Sequence, residues 1–300
     1  MFNDIRQLLP TSLVLANEPM AKHTSFKIGG PAEVFVTPKD TTQLAAIWKT
    51  CLEKGYPVTI LGGGNNVLVS DDGIKGVVIT TTRMNKIQIN ENEITAGSGT
   101  KLHILADTAK EIGLSGLEFA HGIPGTVGGA VFMNAGAYNH ETKDVCEKVI
   151  AMLPNGEVIT HAKESLAFGY RKSRFQKETA IITEAKFRLS PKSPDEIKAY
   201  MDHLMTKRRD TQPLDKKSAG STFKRPNEPN RYAARMIDEC GLKGFTIGGA
   251  QVSEKHAGFV INTGNATAAD VLNLMATVKE KVHAATGIWL EPEMQMLGFM

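Results

Sequence analysis

Cysteine is scarce in this chain. Cys51, Cys146 and Cys240 are the only three in 300 residues and show no metal-ligand spacing. An odd, sparse set argues against a disulfide framework and for a reducing compartment. Eight histidines contain no HExxH and no close pair, so no metal site is expected, and His121 and His256 read as structural. No GxGxxG opens a long helix, which argues against a Rossmann unit. The GxxxxGK[ST] phosphate loop and the GxSxG nucleophile elbow are also missing. No apolar run reaches membrane-spanning length. The start, MFNDIRQLLP, has no basic region ahead of an apolar core, so no secretory signal is expected. A net charge of +3 leaves no footprint for nucleic acid but suits small anionic ligands. These absences point to a cytoplasmic, soluble enzyme.

What is present is an ordinary globular composition, 41% apolar and 22% charged. A chain of 300 residues suggests two or three domains. Residues 1–18 read as a short helix before a turn at Pro19, and 32–36 as a strand. A helix begins at Thr41 and ends at Gly55, with Leu44, Ile47, Trp48 and Cys51 or Leu52 at helical spacing. Strands follow at 57–61, 67–69 and 77–79, and a pair at 83–98 turns at 90–93. Helix 101–111 turns Leu102, Leu105, Ala106 and Ala109 inward. A hairpin spans 145–151 and 157–160, and 179–189 is a further strand. Two prolines at 191 and 194 mark a boundary. Beyond it, helix 195–209 buries Ile197, Tyr200 or Met201, Leu204 and Met205, and its basic end, Lys207-Arg208-Arg209, reads as a solvated terminus. Helices at 231–240 and 268–283 and strands at 258–262 and 288–297 complete the chain.

Residues 114–138 hold Gly116, Gly122, Gly125, Gly128, Gly129 and Gly136, almost no charge, and neither helical nor strand periodicity. They read as loop backbone folded against something large and flat, since glycine admits a ligand close to the main chain. A second glycine loop, Gly62-Gly63-Gly64-Asn65-Asn66, follows a buried strand. Two such loops could hold one long phosphate-bearing cofactor, although each alone also reads as a structural turn. Three polar stretches stand out besides. Tyr170-Arg171 suits a carboxylate or phosphate. Gly220-Ser221-Thr222-Phe223-Lys224 could enter a site. In the expected last strand Glu291 and Glu293 share a face with Trp289. Taken singly, these read as turns or an exposed edge.

In order, TSFKIGGPA, LGGGNNVLV, GLEFAHGIPGTVGGAVFMNAGAY, YRKSRF, GSTFKRP and LEPEMQMLG resemble the UDP-N-acetylenolpyruvoylglucosamine reductase family of peptidoglycan synthesis, in its shorter, type II form. The resemblance runs from residue 20 to residue 298. It implies an α+β fold: an FAD-binding fold of the vanillyl-alcohol-oxidase type in two subdomains, 1–80 and 81–190, and a C-terminal α/β substrate-binding domain, 191–300. It further implies that NADPH reduces FAD, which then reduces an enolpyruvyl UDP-sugar to UDP-N-acetylmuramate.

Carried over by motif, Arg171 supplies a cation to the substrate carboxylate, Ser221 is the proton donor, and Glu293, preferred to Glu291 on the match, orients groups or carries a proton. The cofactor falls to Gly62, Gly63, Gly64, Asn65 and Asn66 and to Gly122, Ile123, Pro124, Gly125, Thr126, Gly128, Gly129 and Ala130. Tyr170, Lys224 and Arg225 fall to substrate. Arg225 stands where the family often has asparagine. Asn65-Asn66 offers no nucleophile, so non-covalent FAD is expected, with a monomer and no metal, nucleic-acid or membrane partner. A flavin oxidase of the same fold and a non-enzymatic nucleotide-binding module are the competing readings.

Overall fold

The computed structural model describes residues 1–10 and 13–299. Contacts divide the chain into two units, the first holding two hydrophobic clusters and the second one. The first comprises residues 1–16, 33–63 and 76–208, and the second 17–32, 64–75 and 209–300.

In the first unit the apolar spacing of Thr41–Lys54 does what it predicts. Leu44, Ile47, Trp48 and Cys51 are buried and Leu52 is exposed, which decides the alternative at that position. The Asp40 side chain accepts from the Gln43 N–H at the helix start, and Gly55 ends it at φ 67°. This helix packs beside a sheet ordered Val14–Pro19, Pro31–Val36, Ile74–Thr80, Val58–Leu61, in which the last two strands are parallel. The segment joining that parallel pair holds no helix; it runs through the glycine loop and the short strand Val67–Val69. The expected helix over 1–18 is cut short: Phe2–Arg6 is helical but Val14–Pro19 is a strand, and residues 11 and 12 lie outside the described residues. Sheet pairing with Pro31–Val36 outweighs weak local helix propensity there.

A second, antiparallel sheet runs Val158–Ala162, Cys146–Met152, Ile181–Arg188, Glu93–Gly97, Ile87–Asn90. The expected hairpins at 83–98 and 145–160 are both in it. Leu102, Leu105, Ala106 and Ala109 of helix Leu102–Glu111 join its core. So do Ile197 and Met201 of Pro194–Thr211, while Tyr200 stays exposed.

The stretch 114–138 is more regular than its composition suggests. It contains the helices Glu118–His121 and Val127–Met133. Val127, Ala130 and Val131 anchor the second helix in the core, so burial overrides the poor helix propensity of Gly128 and Gly129.

The second unit carries a sheet ordered Lys217–Ser221, Phe259–Asn262, Ala250–Val252, Thr246–Ile247, covered by Ala233–Glu239 and Ala268–Thr286. The long helix buries Val271, Leu274, Met275, Val278 and Val282. Val67–Val69 pairs in parallel with Gln295–Leu297. The expected strand over 288–297 therefore exists only in its last three residues, and Glu291 and Glu293 do not sit on one strand face with Trp289. Trp289 instead stacks on His283, with ring centroids 4.0 Å apart.

Candidate active site

The two glycine loops do meet, through Gly62. A side-chain carbon placed on Gly62 would lie 2.6 Å from the Thr126 hydroxyl and 3.7 Å from the Gly129 nitrogen. One placed on Gly128 would lie 2.9 Å from Ser98 Cβ. A side chain at either point would collide with the side chain of Thr126 or of Ser98, so both points are packed against glycine. Three hydroxyl oxygens of this neighbourhood, Ser98 Oγ, Thr100 Oγ1 and Thr126 Oγ1, are buried with no hydrogen-bond partner. A buried hydroxyl left unpaired costs about 1–3 kcal/mol, so three in one place mark donors waiting for an acceptor. Ser98 and Thr100 were not among the residues singled out from sequence. Their signal was a third glycine motif, Gly97-Ser98-Gly99-Thr100, at the end of strand Glu93–Gly97.

This cradle continues along the stretch. Gly125 accepts from the Leu102 N–H at 3.1 Å, and the Val127 N–H donates to Thr100 at 2.9 Å, fastening the turn to the helix start. Gly122 faces the helix Pro194–Thr211, where an added carbon would lie 3.0 Å from Met205 Sδ and 3.1 Å from Arg208 Cδ. Arg208 therefore departs from the solvated terminus expected of Lys207-Arg208-Arg209. Its Nε is buried without a partner. Burial pulls its pKa down, and the neighbouring Tyr138 hydroxyl works the other way.

The other half of the first glycine loop belongs to the second unit. Gly64 packs under His23, whose carbonyl lies 2.0 Å from where a side chain would start. The Gly64 carbonyl accepts from the Ser25 N–H at 3.0 Å. The Asn66 amide donates to the Glu293 carbonyl at 3.2 Å, and the Asn66 carbonyl accepts from Gln295 at 2.9 Å.

Ser221 ends the strand Lys217–Ser221 after a register shift against Phe259–Asn262. Gly220 makes that bulge at φ 79°, a conformation open to glycine, and a bulge re-aims the residue beside it. The next residue, Thr222, is buried; its hydroxyl accepts from the Val260 N–H at 2.9 Å and its carbonyl from the Glu293 N–H at 2.9 Å. The chain segments of Ser221 and Glu293 thus run side by side. Glu291 is spent elsewhere: its carboxylate meets Lys224 Nζ at 3.3 Å and its side chain is 71% exposed. Arg225 lies over the Tyr232 ring at 4.7 Å. His256 Nδ1 accepts from the Gly258 N–H at 3.1 Å, next to the carbonyl that receives the Thr222 N–H.

Arg171, in the first unit, sits in a tight turn at φ 54°, costing about 1–2 kcal/mol for a residue with a Cβ. Its guanidinium lies 4.9 Å from the Tyr170 ring centroid and donates to the Gly136 carbonyl at 3.3 Å. A permanent cation held on an exposed aromatic and a carbonyl suits a planar oxyanion.

Residues 32–162 match the family described as FAD binding domain, and residues 212–297 match UDP-N-acetylenolpyruvoylglucosamine reductase, C-terminal domain. The chain is 45% identical over 299 residues to the UDP-N-acetylenolpyruvoylglucosamine reductase of Syntrophomonas wolfei, covering 99% of each. It is 44% identical to that of Clostridioides difficile, covering 99% of this chain and 98% of the relative. The crystal structure of the Thermus caldophilus enzyme superposes with a TM-score of 0.82 at 35% identity, covering 95% of this chain and 98% of that one. With the FAD-binding match over the glycine cradle and relatives that extend end to end, this chain belongs to the UDP-N-acetylenolpyruvoylglucosamine reductase family.

Proposed function

We propose that this protein reduces the enolpyruvyl group of UDP-N-acetyl-3-O-(1-carboxyvinyl)-glucosamine to UDP-N-acetylmuramate, a step of peptidoglycan precursor synthesis. The observation that carries this reading is the near full-length kinship, 45% identity over 99% of the chain. The three orphaned hydroxyls and the bare backbone at Gly62 and Gly128 fit the diphosphate of FAD, held without a covalent bond. In this reading residues 1–80 and 81–190 serve the cofactor and 191–300 the substrate. The protein works as a cytoplasmic monomer; among the described residues no helix is long and apolar enough to cross a membrane.

The loops at 62–66 and 122–130 would hold FAD, which would supply hydride, taken from NADPH, to the terminal alkene carbon. Negative charge then develops on the α-carbon and its carboxylate. Arg171 sets a fixed positive charge against that carboxylate, an interaction stronger in the transition state than in the ground state. The Ser221 hydroxyl gives its proton to the α-carbon. Serine is a weak acid, yet the acceptor is a strongly basic enolate carbon, and the proton returns from solvent. Glu293 orients the groups around the same carboxyl. Tyr170, Lys224 and Arg225 bind the sugar nucleotide, the two cations against its phosphates.

The test separates the two half-reactions by stopped-flow absorbance. Ser221→Ala leaves flavin reduction by NADPH intact and slows reoxidation by substrate by on the order of a hundredfold or more. Equal loss in both halves rejects Ser221 as the donor. Rapid oxygen consumption by the wild type, with no need for enolpyruvyl substrate, would point to an oxidase instead.

A further inference from the structure

The Arg171 turn is fastened to one short helix. The turn is closed on itself by two bonds between Gly169 and Lys172, each 3.0 Å. It is then tied to the end of Val127–Met133 at three points. Asn134 Nδ2 donates to the Gly169 carbonyl at 2.9 Å. Gln176 Nε2 donates to the Arg171 carbonyl at 2.9 Å and to the Phe132 carbonyl at 3.0 Å. Ser173 Oγ donates to the same Phe132 carbonyl at 2.8 Å.

Asn134 is built for this task. It is 0% exposed and ends the helix in the left-handed region at φ 43°. Its amide also donates to Glu141 at 3.1 Å, and its oxygen accepts from the Lys143 N–H at 2.9 Å. All three bonds need an asparagine: aspartate would turn a second oxygen toward the Gly169 carbonyl and the Glu141 carboxylate. Gln176 is exposed, yet its amide bridges the Arg171 and Phe132 carbonyls. The opposite end of the same helix carries Gly128 and Gly129 of the cradle, where the Gly128 N–H donates to Ser98 at 2.8 Å.

We propose that Asn134 and Gln176 are positioning residues for Arg171, keying its strained turn to the helix Val127–Met133 so that the guanidinium keeps a fixed place relative to the cofactor cradle. This rests on the reading of Arg171 as the cation for the substrate carboxylate. A long arginine on a surface turn has many rotamers. Tyr170 and the Gly136 carbonyl hold the guanidinium, and the helix ties fix the backbone from which that side chain starts, so that a shift of about 1 Å in the turn is enough to cost catalysis on the order of a hundredfold.

Asn134→Gly is the decisive variant, because glycine tolerates the left-handed backbone and removes only the side-chain ties. Gln176→Ala is its partner at an exposed position where folding is not at stake. Each is compared with Arg171→Lys and with the double variants. The expected result is retained flavin content and visible spectrum, little change in reduction by NADPH, and reoxidation by enolpyruvyl substrate slowed about ten- to a hundredfold. In the Arg171→Lys background the same changes add little further loss, since the clamp then holds nothing that matters. Losses that multiply in the double variants, or that fall equally on both half-reactions, overturn the proposal. Arg171→Lys alone with normal reoxidation overturns the underlying role of Arg171, and that single variant tells the two failures apart. Should Asn134→Gly fail to fold, Gln176→Ala decides, and unchanged reoxidation in it overturns the proposal.

Discussion

At the scale of single residues, the informative groups are those whose hydrogen bonding is incomplete. Thr126 is 3% exposed and its hydroxyl has no partner. Replacing it by valine keeps the shape and removes the desolvated oxygen, so the apoprotein loses nothing and gains up to about 1 kcal/mol. The holoprotein loses a hydrogen bond to phosphate. Thr126→Val is therefore expected to weaken FAD binding about tenfold, by titration of the apoprotein, while leaving the apo melting temperature level or raised. A fall in both would make Thr126 a structural residue. Ser98 and Thr100 escaped sequence reading because hydroxyl burial cannot be read from a turn motif. The close approach of Gly62 to Thr126 depends on chain segments more than sixty residues apart.

At the scale of elements, helix Ala268–Thr286 shows how local signals and tertiary ties combine. Thr267 and Asp270 form a capping box. Asp71 adds its carboxylate to the Ala268 and Ala269 N–H groups at 2.8 and 3.0 Å. The apolar stripe was legible from its spacing, whereas Asp71, distant in sequence, was not. Leu274 is 0% exposed in that stripe. Leu274→Ala is expected to cost about 2–5 kcal/mol, and Asp71→Ala about 1 kcal/mol, both read from denaturant unfolding. If the loss at Asp71 equalled that at Leu274, the carboxylate would be holding more than a helix end. The glycine stretch illustrates the opposite case. Its two helices were hidden because glycine-rich local propensity opposes them, and only burial of Val127, Ala130 and Val131 decides in their favour.

For the molecule as a whole, two imidazoles, His161 and His256, contribute a pH dependence to stability near neutrality. Burial lowers the pKa of His161, with Arg174 adding to the effect and Glu178 opposing it. Burial lowers His256 as well, with Lys243 adding to it and a backbone hydrogen bond opposing it. Both groups stay neutral in the folded chain at pH values where the unfolded chain, at the ordinary 6.5, takes up protons. The unfolded state therefore binds more protons as pH falls through that value, and folding free energy declines until the lowered folded pKa is passed. Melting temperature is expected to drop between pH 7.5 and pH 5.5, and His161→Gln with His256→Gln to flatten that drop. An unchanged slope in the double variant would assign the effect to other groups.

Much of the architecture was written in the chain itself. The apolar spacing of helices 41–54, 102–111 and 268–286, the turn residues of the hairpins and the glycine loops all act through neighbours a few positions away. Short-range sterics and hydrophobic periodicity suffice for these. Motif likeness named the family and its candidate residues, Arg171, Ser221 and Glu293, but gave them no geometry. Tertiary structure alone decided what depends on distant partners. It shortened the last strand to Gln295–Leu297, turned Glu291 toward Lys224, and laid the Glu293 backbone against Thr222. It also gave the Arg171 turn its ties to Asn134 and Gln176. Hydrogen bonds and burial between remote segments are properties of the folded state, and no local pattern of residues encodes them.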